Sequence, residues 1–514
     1  MKKELTYEEL LAKFEAVQDQ FKAVQANEIA LKERVAYLER MLYGSKKDRL
    51  KPYVPDDQPG LFDDFFKEAI DEKEKAIAEK AEEIEKDAQK RRKAAKKSPS
   101  RPSRYRYCGL EEREQVINPE GVDLSECEKI GQDVTRILRY EKAKMWVDVQ
   151  IRPIYRKIAD KNLLNPHIYQ AQGPKAVIGG NHVGAEMLAQ IVINKFCYHI
   201  PEYRQIKQYA DMGVTLPTST INDWVHAVAA KLDILYEAQR KEVLKSNYLQ
   251  IDEVPWHIID QPGKKRNGYA WQFFDSCPDS HGLYFLYING SRAGTIPRAE
   301  LRNYRGAIQT DGYSVYDYFE LQDNVTLLSC MAHVRRKFIE AQNSYPQLAE
   351  KAVNWIGLLY KLEANLKAEG ADPERIAAER QAKALPIMDA MEKWMEAVSV
   401  QCTPSDSMGK AFEYAYRLWP RLRRYADNGI YQIDNNPVER NQRPTVMGRK
   451  NYLFSKNDKG AVDNAIFYTL LESCHIVGIN PLDWLTDVLN TLHDDTPPEQ
   501  INQLLPYYYK KSRE

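Results

Sequence analysis

The sequence lacks net charge, closely spaced cysteines and long apolar runs, and each absence excludes a class of protein. Its 74 basic and 74 acidic residues cancel, so the chain is not uniformly basic and any nucleic-acid surface must be local. Its seven cysteines are scattered and never spaced C-x-x-C, which argues against a disulfide framework or a zinc ribbon. No run approaches the roughly 18 apolar residues of a membrane helix, and the charged start does not resemble a signal peptide. We therefore expect a cytoplasmic protein with reduced thiols and no membrane partner.

The first hundred residues predict a helical, charged region ahead of the main domains. Apolar residues recur alternately four and three apart from Leu10 to Leu42, interrupted only by Glu28. This 3.5-residue period predicts a leucine-zipper-like coiled coil over 1–45, with an amphipathic helix packed on its own domain as the alternative. Residues 46–106 then predict a linker, a charged helix and a basic segment. That segment, residues 90–106, contains nine basic and no acidic residues, which suits either phosphate binding or a solvated linker.

Two smaller units are predicted next. Residues 107–180 predict a small strand-rich domain, since MWVDVQIRPIYRK alternates like a half-buried strand. Residues 181–245 predict helices with a break at Gly213 to Pro217 and an N-cap at Thr218 or Ser219. The pattern fits a helix-turn-helix, in which Thr218, Ser219 and Asn222 would contact DNA. It also fits an ordinary helical hairpin, which is far commoner.

From Tyr248 the pattern changes to strand, strand, strand, helix, strand, which is the opening of a ribonuclease-H-like sheet. Asp252 and Asp311 lie where apolar strands give way to loops. If the two strands are neighbours, the carboxylates converge, and a divalent cation between them would relieve their repulsion. Taken singly, each residue fits an aspartate of a surface turn better than a metal ligand.

A long helical region over about 333–425 begins with AHVRRKF, whose basic residues suit a phosphate clamp, an auxiliary acid or merely a charged helix start. Further on, Glu439 is followed by four cations within eleven residues, which suits a polyanion lying across the site. The alternative is a capping box, with Asn436 as N-cap, Pro437 at the first helical position and Glu439 at the third.

The strings QIDEVPW, QTDGYSVY, AHVRRKF and DNNPVERNQRPTVMGRKNYLF occur in this order. Together with YRQIKQYADMGVTLPTSTINDWV, SCHIVGINPLDWLTDVLNTL and LLPYYYKK, they resemble the transposase of the bacterial insertion-sequence family numbered sixty-six. The resemblance covers almost the whole chain. It implies an α/β fold with a DDE-type, ribonuclease-H-like catalytic domain over 246–460, a helical insertion over about 340–425 and a C-terminal helical domain over 461–514.

The resemblance also implies the site. By motif, Asp252 matches the first aspartate, Asp311 the second and Glu439 the glutamate. They are expected to bind two Mg²⁺ or Mn²⁺ ions, with Asp252 bridging them, so that water cleaves the transposon end and the freed 3′-hydroxyl joins target DNA. His333 is an auxiliary residue, and DNA contacts are expected from the cations Arg335, Arg336, Arg443, Arg449 and Lys450.

The resemblance makes DNA the partner, as transposon ends and target, in a nucleoid-associated homodimer or higher oligomer, with possible accessory proteins of the element. Members often carry a cysteine zinc motif, but only Cys108 and Cys127 stand in that region. Because four ligands cannot be assembled there, we expect a degenerate zinc-finger-like region and no zinc. Two alternatives share the motifs: a ribonuclease-H-like nuclease or resolvase, and a catalytically inactive DNA-binding regulator.

Overall fold

A mixed five-stranded sheet organises the protein. The computed structural model describes residues 144–156, 168–261 and 264–513, so the predictions for the coiled coil, the basic segment, Cys108 and Cys127 lie outside the described residues. A small antiparallel pair, β1 (Ile154–Arg156) and β2 (Ile168–Gln170), comes first. The sheet then comprises β3 (Tyr248–Gln261), β4 (Lys264–Asp275), β5 (Leu283–Tyr287), β6 (Gly306–Thr310) and β7 (Val325–Ser329).

The predicted half-buried strand over MWVDVQIRPIYRK is mostly wrong. Only Ile154–Arg156 is strand, and the apolar side chains before it are 75–84% exposed: Trp146, Val147, Val149 and Ile151. Alternation favours a strand only where a second strand and a core receive it. Within the described part of the chain, β1 pairs with β2 alone.

The strands of the main sheet lie in the spatial order β5-β4-β3-β6-β7. The first three are antiparallel neighbours, and β3, β6 and β7 run parallel to one another. The order strand, strand, strand, helix, strand is therefore confirmed, and so is the α/β class. The parallel pairing of β3 with β6 brings together the two strands that carry the predicted aspartates.

Helices account for most of the remaining described residues. In chain order they are α1 (Ala185–Phe196), α2 (Glu202–Asp211), α3 (Thr218–Val243), α4 (Thr295–Glu300), α5 (Met331–Glu340), α6 (Pro346–Glu369), α7 (Pro373–Glu379), α8 (Leu385–Ser399), α9 (Ser407–Arg423), α10 (Asn436–Tyr452), α11 (Asp458–Val477), α12 (Pro481–Thr491), α13 (Pro498–Gln503) and α14 (Pro506–Lys511). Tight 3₁₀ turns at Ser314–Leu321 and Arg424–Asp427 follow β6 and α9. No helix among the described residues is long and apolar enough to cross a membrane.

Local sequence explains several helix ends. The α9 helix begins because the Asp406 side chain accepts a hydrogen bond from the Gly409 N–H at 2.6 Å. The α6 helix begins at a proline, whose fixed φ suits the first turn, and ends at Gly370 with φ +63°. The α3 helix begins at Thr218 with Pro217 as its N-cap, so the predicted N-cap at Thr218 or Ser219 is wrong by one or two residues.

Three apolar cores divide the sheet between them. One covers a whole face of the sheet, through residues such as Ile251, Phe273 and Ile308. On the other face, α1, α3 and α11 pack on β4 and β5, whereas α5, α6, α8 and α9 pack beside β6 and β7. Between these two cores lies a buried polar strip of Gln250, Gln272 and Gln309, each 0% exposed. The candidate active site adjoins this strip.

Candidate active site

Asp252 lies on β3, and Asp311 directly follows the neighbouring parallel strand β6. The register pairs Gln250 of β3 with Gln309 of β6, and Asp252 and Asp311 follow two residues later along the chain. Because parallel strands are about 4.8 Å apart, residues at equal positions along them lie side by side, so the two carboxylates approach each other. The predicted strand-end position is confirmed for Asp311 and is wrong for Asp252, the fifth residue of the 14-residue β3, because β3 continues in its pairing with β4 as far as Gln261.

Glu439 comes to the same place on the first turns of α10. The structure contradicts the capping-box alternative: α10 begins at Asn436 with Asn435 as N-cap, and the Asn436 side chain donates to Asp434 instead of capping the helix. The carboxylate of Glu439 faces α5, with Oε1 3.6 Å from His333 Nε2 and Oε2 3.9 Å from Arg336 Nη2. Glu439 is thus available to the site and is not used as a cap.

The electrostatics of the site favour a cation. Burial raises the pKa of Asp252 well above its usual range, and the neighbouring carboxylates of Glu253, Asp311 and Glu439 raise it further. Burial also lowers the pKa of His333, against the opposing effect of Glu439 and Asp311. Glu439 Oε1 is buried without a hydrogen-bond partner among the described residues. A positive ion would stabilise the ionised form of Asp252.

Two buried glutamines fix the elements that carry the carboxylates. Gln250 Nε2 donates to Gln309 Oε1 at 2.8 Å and to the Asp434 carbonyl at 3.0 Å. Gln250 Oε1 accepts from the Val438 N–H at 3.3 Å. Gln309 in turn donates to the carbonyls of Gln432 and Ser329. Adjacent strands and the start of α10 are thereby joined by side-chain bonds within two residues of each carboxylate.

A cavity of about 360 Å³ opens at the carboxylates. It is lined by Asp252, His333, Arg336, Glu439, Gln442, Arg443, Val446 and Met447. Of the predicted DNA-binding cations, the structure thus brings Arg336 and Arg443 to the site. Within the described residues, Arg443 has no ion-pair partner and is exposed, so it can meet a phosphate.

The other predicted contacts lie elsewhere. Arg335 is outside the cavity lining, and Arg449 donates to the carbonyl of Pro255 in its own chain. Lys450 is exposed eleven residues beyond Glu439, which is about 16 Å along the helix axis. Thr218 and Ser219 are exposed at the start of α3, whereas the Asn222 amide donates to Glu202 of α2 at 3.5 Å.

Sequence reasoning missed the residues that hold the site. Gln250 and Gln309 stand two residues before Asp252 and Asp311, in QID and QTD. In a strand, this spacing places each glutamine on the same face as its aspartate. A polar residue repeated at that position in two apolar strands was a readable signal.

The residues present fit a divalent cation by chemistry and proximity. Three carboxylates supply hard oxygen ligands, which suit Mg²⁺ or Mn²⁺, and Glu439 Oε1 has no partner in the described part of the chain. No set of three or more His, Cys, Asp and Glu side chains among the described residues is already arranged to hold a metal ion. The fit therefore does not rest on a preformed ligand shell.

The cavity combines the carboxylates of Asp252 and Glu439 with the cations Arg336 and Arg443, and comparison with known proteins identifies the family of the chain. Residues 180–463 match the family described as Transposase IS66 family, and residues 469–507 match the IS66 C-terminal element. The chain belongs to the IS66 transposase family, as its motifs predict. All three carboxylates fall within the first match.

Relatives in Sinorhizobium fredii extend along most of the chain. The protein y4jD, described as uncharacterized, is 28% identical over 417 residues, covering 77% of this chain and 80% of the relative. The proteins y4qI and y4hP, described in the same way, are 28% and 26% identical and cover 92% and 78% of this chain. These comparisons support a transposase role and hence a DNA-processing enzyme.

Proposed function

We propose that this transposase is a DDE enzyme with a ribonuclease-H-like catalytic domain, in which Asp252, Asp311 and Glu439 form one active site. The observation that carries the proposal is the parallel pairing of β3 with β6, which sets the two aspartates side by side, with Glu439 beside them on the same cavity as Asp252. The strand order, with three antiparallel strands followed by two parallel ones, supports the ribonuclease-H-like assignment.

Two Mg²⁺ or Mn²⁺ ions are the proposed cofactors, and Asp252, Asp311 and Glu439 would hold them. Such ions assist the attacking and leaving oxygens of an in-line displacement at phosphorus. The burial and crowding of Asp252 support this assignment, because an ionised carboxylate in that setting needs a compensating positive charge.

The chain's own residues bind and orient the DNA. Arg336 and Arg443 would hold phosphates beside the carboxylates, and His333, kept neutral by burial, would position the scissile group. Water attacks phosphorus at the transposon end, the P–O3′ bond breaks, and a 3′-hydroxyl is released. That hydroxyl then attacks a phosphodiester of target DNA and displaces another 3′-hydroxyl, so the number of phosphodiester bonds is conserved in the second step.

Recognition of the ends is proposed for the segment from α2 to α3. Thr218 and Ser219 are exposed at the first turn of α3, where the orphan N–H groups of a helix and its hydroxyl side chains can meet phosphates or base edges. Assembly as a homodimer or higher oligomer is proposed for the coiled coil over 1–45. Accessory proteins of the element would act on the assembled complex.

A joining assay tests the proposal. The protein is incubated with labelled DNA from the ends that flank its own gene, supercoiled target DNA and Mg²⁺ or Mn²⁺. We expect nicked ends and joined products, both dependent on the cation and both absent with Asp252→Asn. Joined products would distinguish a transposase from its two alternatives.

The alternatives predict other outcomes of the same assay. Nicking without joining, even when ends with a ready 3′-hydroxyl are supplied, would favour a nuclease or resolvase. Binding of the ends without nicking or joining, in the presence of the element's other proteins, would favour a DNA-binding regulator. Either result would contradict the transposase mechanism.

A further inference from the structure

One face of α9 contacts the turn that carries Asp311. We define the α9 clamp as Tyr414, Arg417 and Arg421 of α9 together with Arg424, the first residue of the 3₁₀ turn that follows, at intervals of three, four and three residues. This spacing places them on one side of a helix. The opposing segment is the turn at Asp311–Gly312 and the 3₁₀ turn Ser314–Leu321 that follows it.

Two members of the clamp bind the backbone of the turn itself. The Tyr414 hydroxyl donates to the carbonyl oxygen of Asp311 at 2.5 Å, and Arg417 Nη2 donates to the carbonyl oxygen of Gly312 at 2.9 Å. The next residue of the helix, Leu418, packs against Gly312, which has a φ of +88°. The turn therefore rests on α9 through two hydrogen bonds and one apolar contact.

The other two members bind the segment just beyond the turn. Arg421 contacts Asp317 at 2.5 Å and Glu320 at 2.9 Å, and Arg424 contacts Glu320 at 2.5 Å. Arg424 also donates to the Leu327 carbonyl of β7 at 2.7 Å. These contacts hold the segment between the Asp311 turn and β7.

The Asp311 side chain is fixed relative to this turn. Its Oδ1 accepts a hydrogen bond from the Tyr313 N–H at 2.8 Å, so a displacement of the turn carries the carboxylate with it. Gln309 holds the strand before Asp311 from within the sheet. The α9 clamp is the corresponding support on the other side of the residue.

We propose that Tyr414 and Arg417 are positioning residues that set the place of the Asp311 carboxylate and thereby the affinity of the active site for its cation. Helix α9 thus influences the metal site from more than a hundred positions away in sequence. The inference rests on the proposed function, because it assumes that Asp311 is a metal ligand.

The test measures Mn²⁺ binding to the full chain by isothermal titration, beside thermal unfolding. Tyr414→Phe removes one hydroxyl and keeps the ring, and its matched control is Tyr416→Phe on the same helix, whose buried hydroxyl makes no hydrogen bond to the turn in the described structure. Losing one hydrogen bond of ordinary strength corresponds to an affinity about two- to tenfold weaker. We expect that loss for Tyr414→Phe and unchanged affinity for Tyr416→Phe.

A second variant with its own control keeps the test valid if Tyr414→Phe fails to fold. Arg417→Met removes the bond to the Gly312 carbonyl, whereas Arg423→Met removes a cation that pairs with Asp389 on another side of α9. Only Arg417→Met should weaken Mn²⁺ binding. Hydrogen exchange of a peptide spanning residues 311–321 should also speed up in Tyr414→Phe and Arg417→Met, and not in the two controls.

The outcomes separate this inference from the proposed function. If the unsubstituted protein binds Mn²⁺ and neither Tyr414→Phe nor Arg417→Met changes the affinity, the positioning role is wrong. The proposed function is not affected by that result. If the unsubstituted protein binds no Mn²⁺, either alone or with DNA present, the proposed metal site is wrong. The positioning role of Tyr414 and Arg417 is then wrong as well. Weaker binding in all four variants would assign the effect to general destabilisation and would also reject the positioning role.

Discussion

Asp252 and its neighbour Glu253 differ in how the fold compensates their negative charge. Burial and three nearby carboxylates all raise the pKa of Asp252, and Glu253 on the opposite face of β3 is itself neutralised by Arg292 at 2.5 Å. Glu253 thus has a cationic partner within the fold, whereas Asp252 accepts a hydrogen bond from the Glu253 N–H and has no cationic partner among the described residues. The residue without a cationic partner is the one exposed to the cavity.

Arg443 should contribute one phosphate contact to DNA binding. Replacing an exposed arginine that meets a phosphate removes about one unit from the slope of log K against log salt concentration. We expect Arg443→Gln to weaken binding of end DNA and to lower that slope by about one. Fluorescence anisotropy at several salt concentrations measures it, with Arg423→Gln as the control on an outlying ion pair. Identical slopes in the two variants would remove Arg443 from the DNA interface.

Gly312 should tolerate no larger residue. Its φ is +88°, and an added Cβ would lie 2.5 Å from Leu418 Cδ1. Gly213 has a similar φ of +90° but open space around it, so Gly213→Ala measures the backbone strain alone, about 1–2 kcal/mol. We expect Gly312→Ala to cost about 1–3 kcal/mol more because of the overlap. Urea unfolding of both variants checks this, and equal losses of stability would contradict the contact with Leu418.

At the scale of single residues, the sequence predicts the acidic residues of the candidate site better than its basic residues. Asp311 was predictable because a polar residue at the end of an apolar strand marks a strand end of the sheet. Asp252 instead lies within β3, because the pairing of β3 with β4 continues to Gln261. Arg449 was not predictable, because only the fold reveals that its guanidinium reaches the Pro255 carbonyl. The capping box failed because α10 begins one residue earlier than its pattern suggests, which moves Glu439 from the third to the fourth helical position.

Among the elements, α10 depends on the sheet for its starting point. The Val438 N–H is one of the first-turn donors that a helix cannot satisfy internally, and Gln250 Oε1 accepts it. The same glutamine binds Gln309 on the neighbouring strand and the Asp434 carbonyl before the helix. One side chain therefore relates the three elements that carry the carboxylates.

Gln250→Leu should destabilise the protein and misplace Glu439. The substitution keeps the buried volume but leaves the Val438 N–H and the Asp434 carbonyl without partners, at a cost of about 1–3 kcal/mol for each buried group left unpaired. We expect a lower urea midpoint and DNA cleavage reduced by at least tenfold in conditions where the variant is folded. Gln347→Leu, at an exposed position of α6, is the control. Unchanged cleavage by a folded Gln250→Leu would show that the network does not position the site.

Elements with a strong internal pattern were predictable, and those that depend on a partner were not. The strand order from Tyr248 and the break between α2 and α3 follow from apolar patterning, proline and glycine. The alternation around Val147–Ile151 did not yield a buried strand, since alternation carries no information about what covers it. The contact between α9 and the Asp311 turn joins residues about a hundred positions apart, so no local sequence pattern could predict it.

Across the whole molecule, two apolar cores meet at a polar strip. The core of α1, α3 and α11 and the core of α5, α6, α8 and α9 pack on the same face of the sheet, one on each side of Gln250, Gln272 and Gln309. Any motion of one core relative to the other would displace the residues of the strip. The family's C-terminal element, residues 469–507, contributes α12 and α13 to the first core.

The coiled coil over 1–45 lies outside the described residues and stays a prediction. Leu31→Lys with Leu38→Lys places two charges on the predicted seam and should abolish oligomerisation, because unpaired buried charges are costly. Sedimentation measures the mass, and end DNA carrying two binding sites measures pairing. Glu33→Lys with Arg40→Lys, on the outer side of the same predicted helix, is the control. An unchanged mass in the seam variant would contradict the coiled coil.

The most direct test of the central claim, that three carboxylates form one cation-dependent site, is cleavage of labelled end DNA by Asp252→Asn, Asp311→Asn and Glu439→Gln, with DNA binding measured on the same preparations. Exposed Glu413→Gln on α9 serves as the control. We predict that each of the three abolishes cleavage in Mg²⁺ and Mn²⁺ while binding stays within about twofold of the unsubstituted protein, since removing one transition-state interaction leaves ground-state binding intact. Cleavage retained by any one of the three would exclude that residue from the site and contradict the DDE assignment.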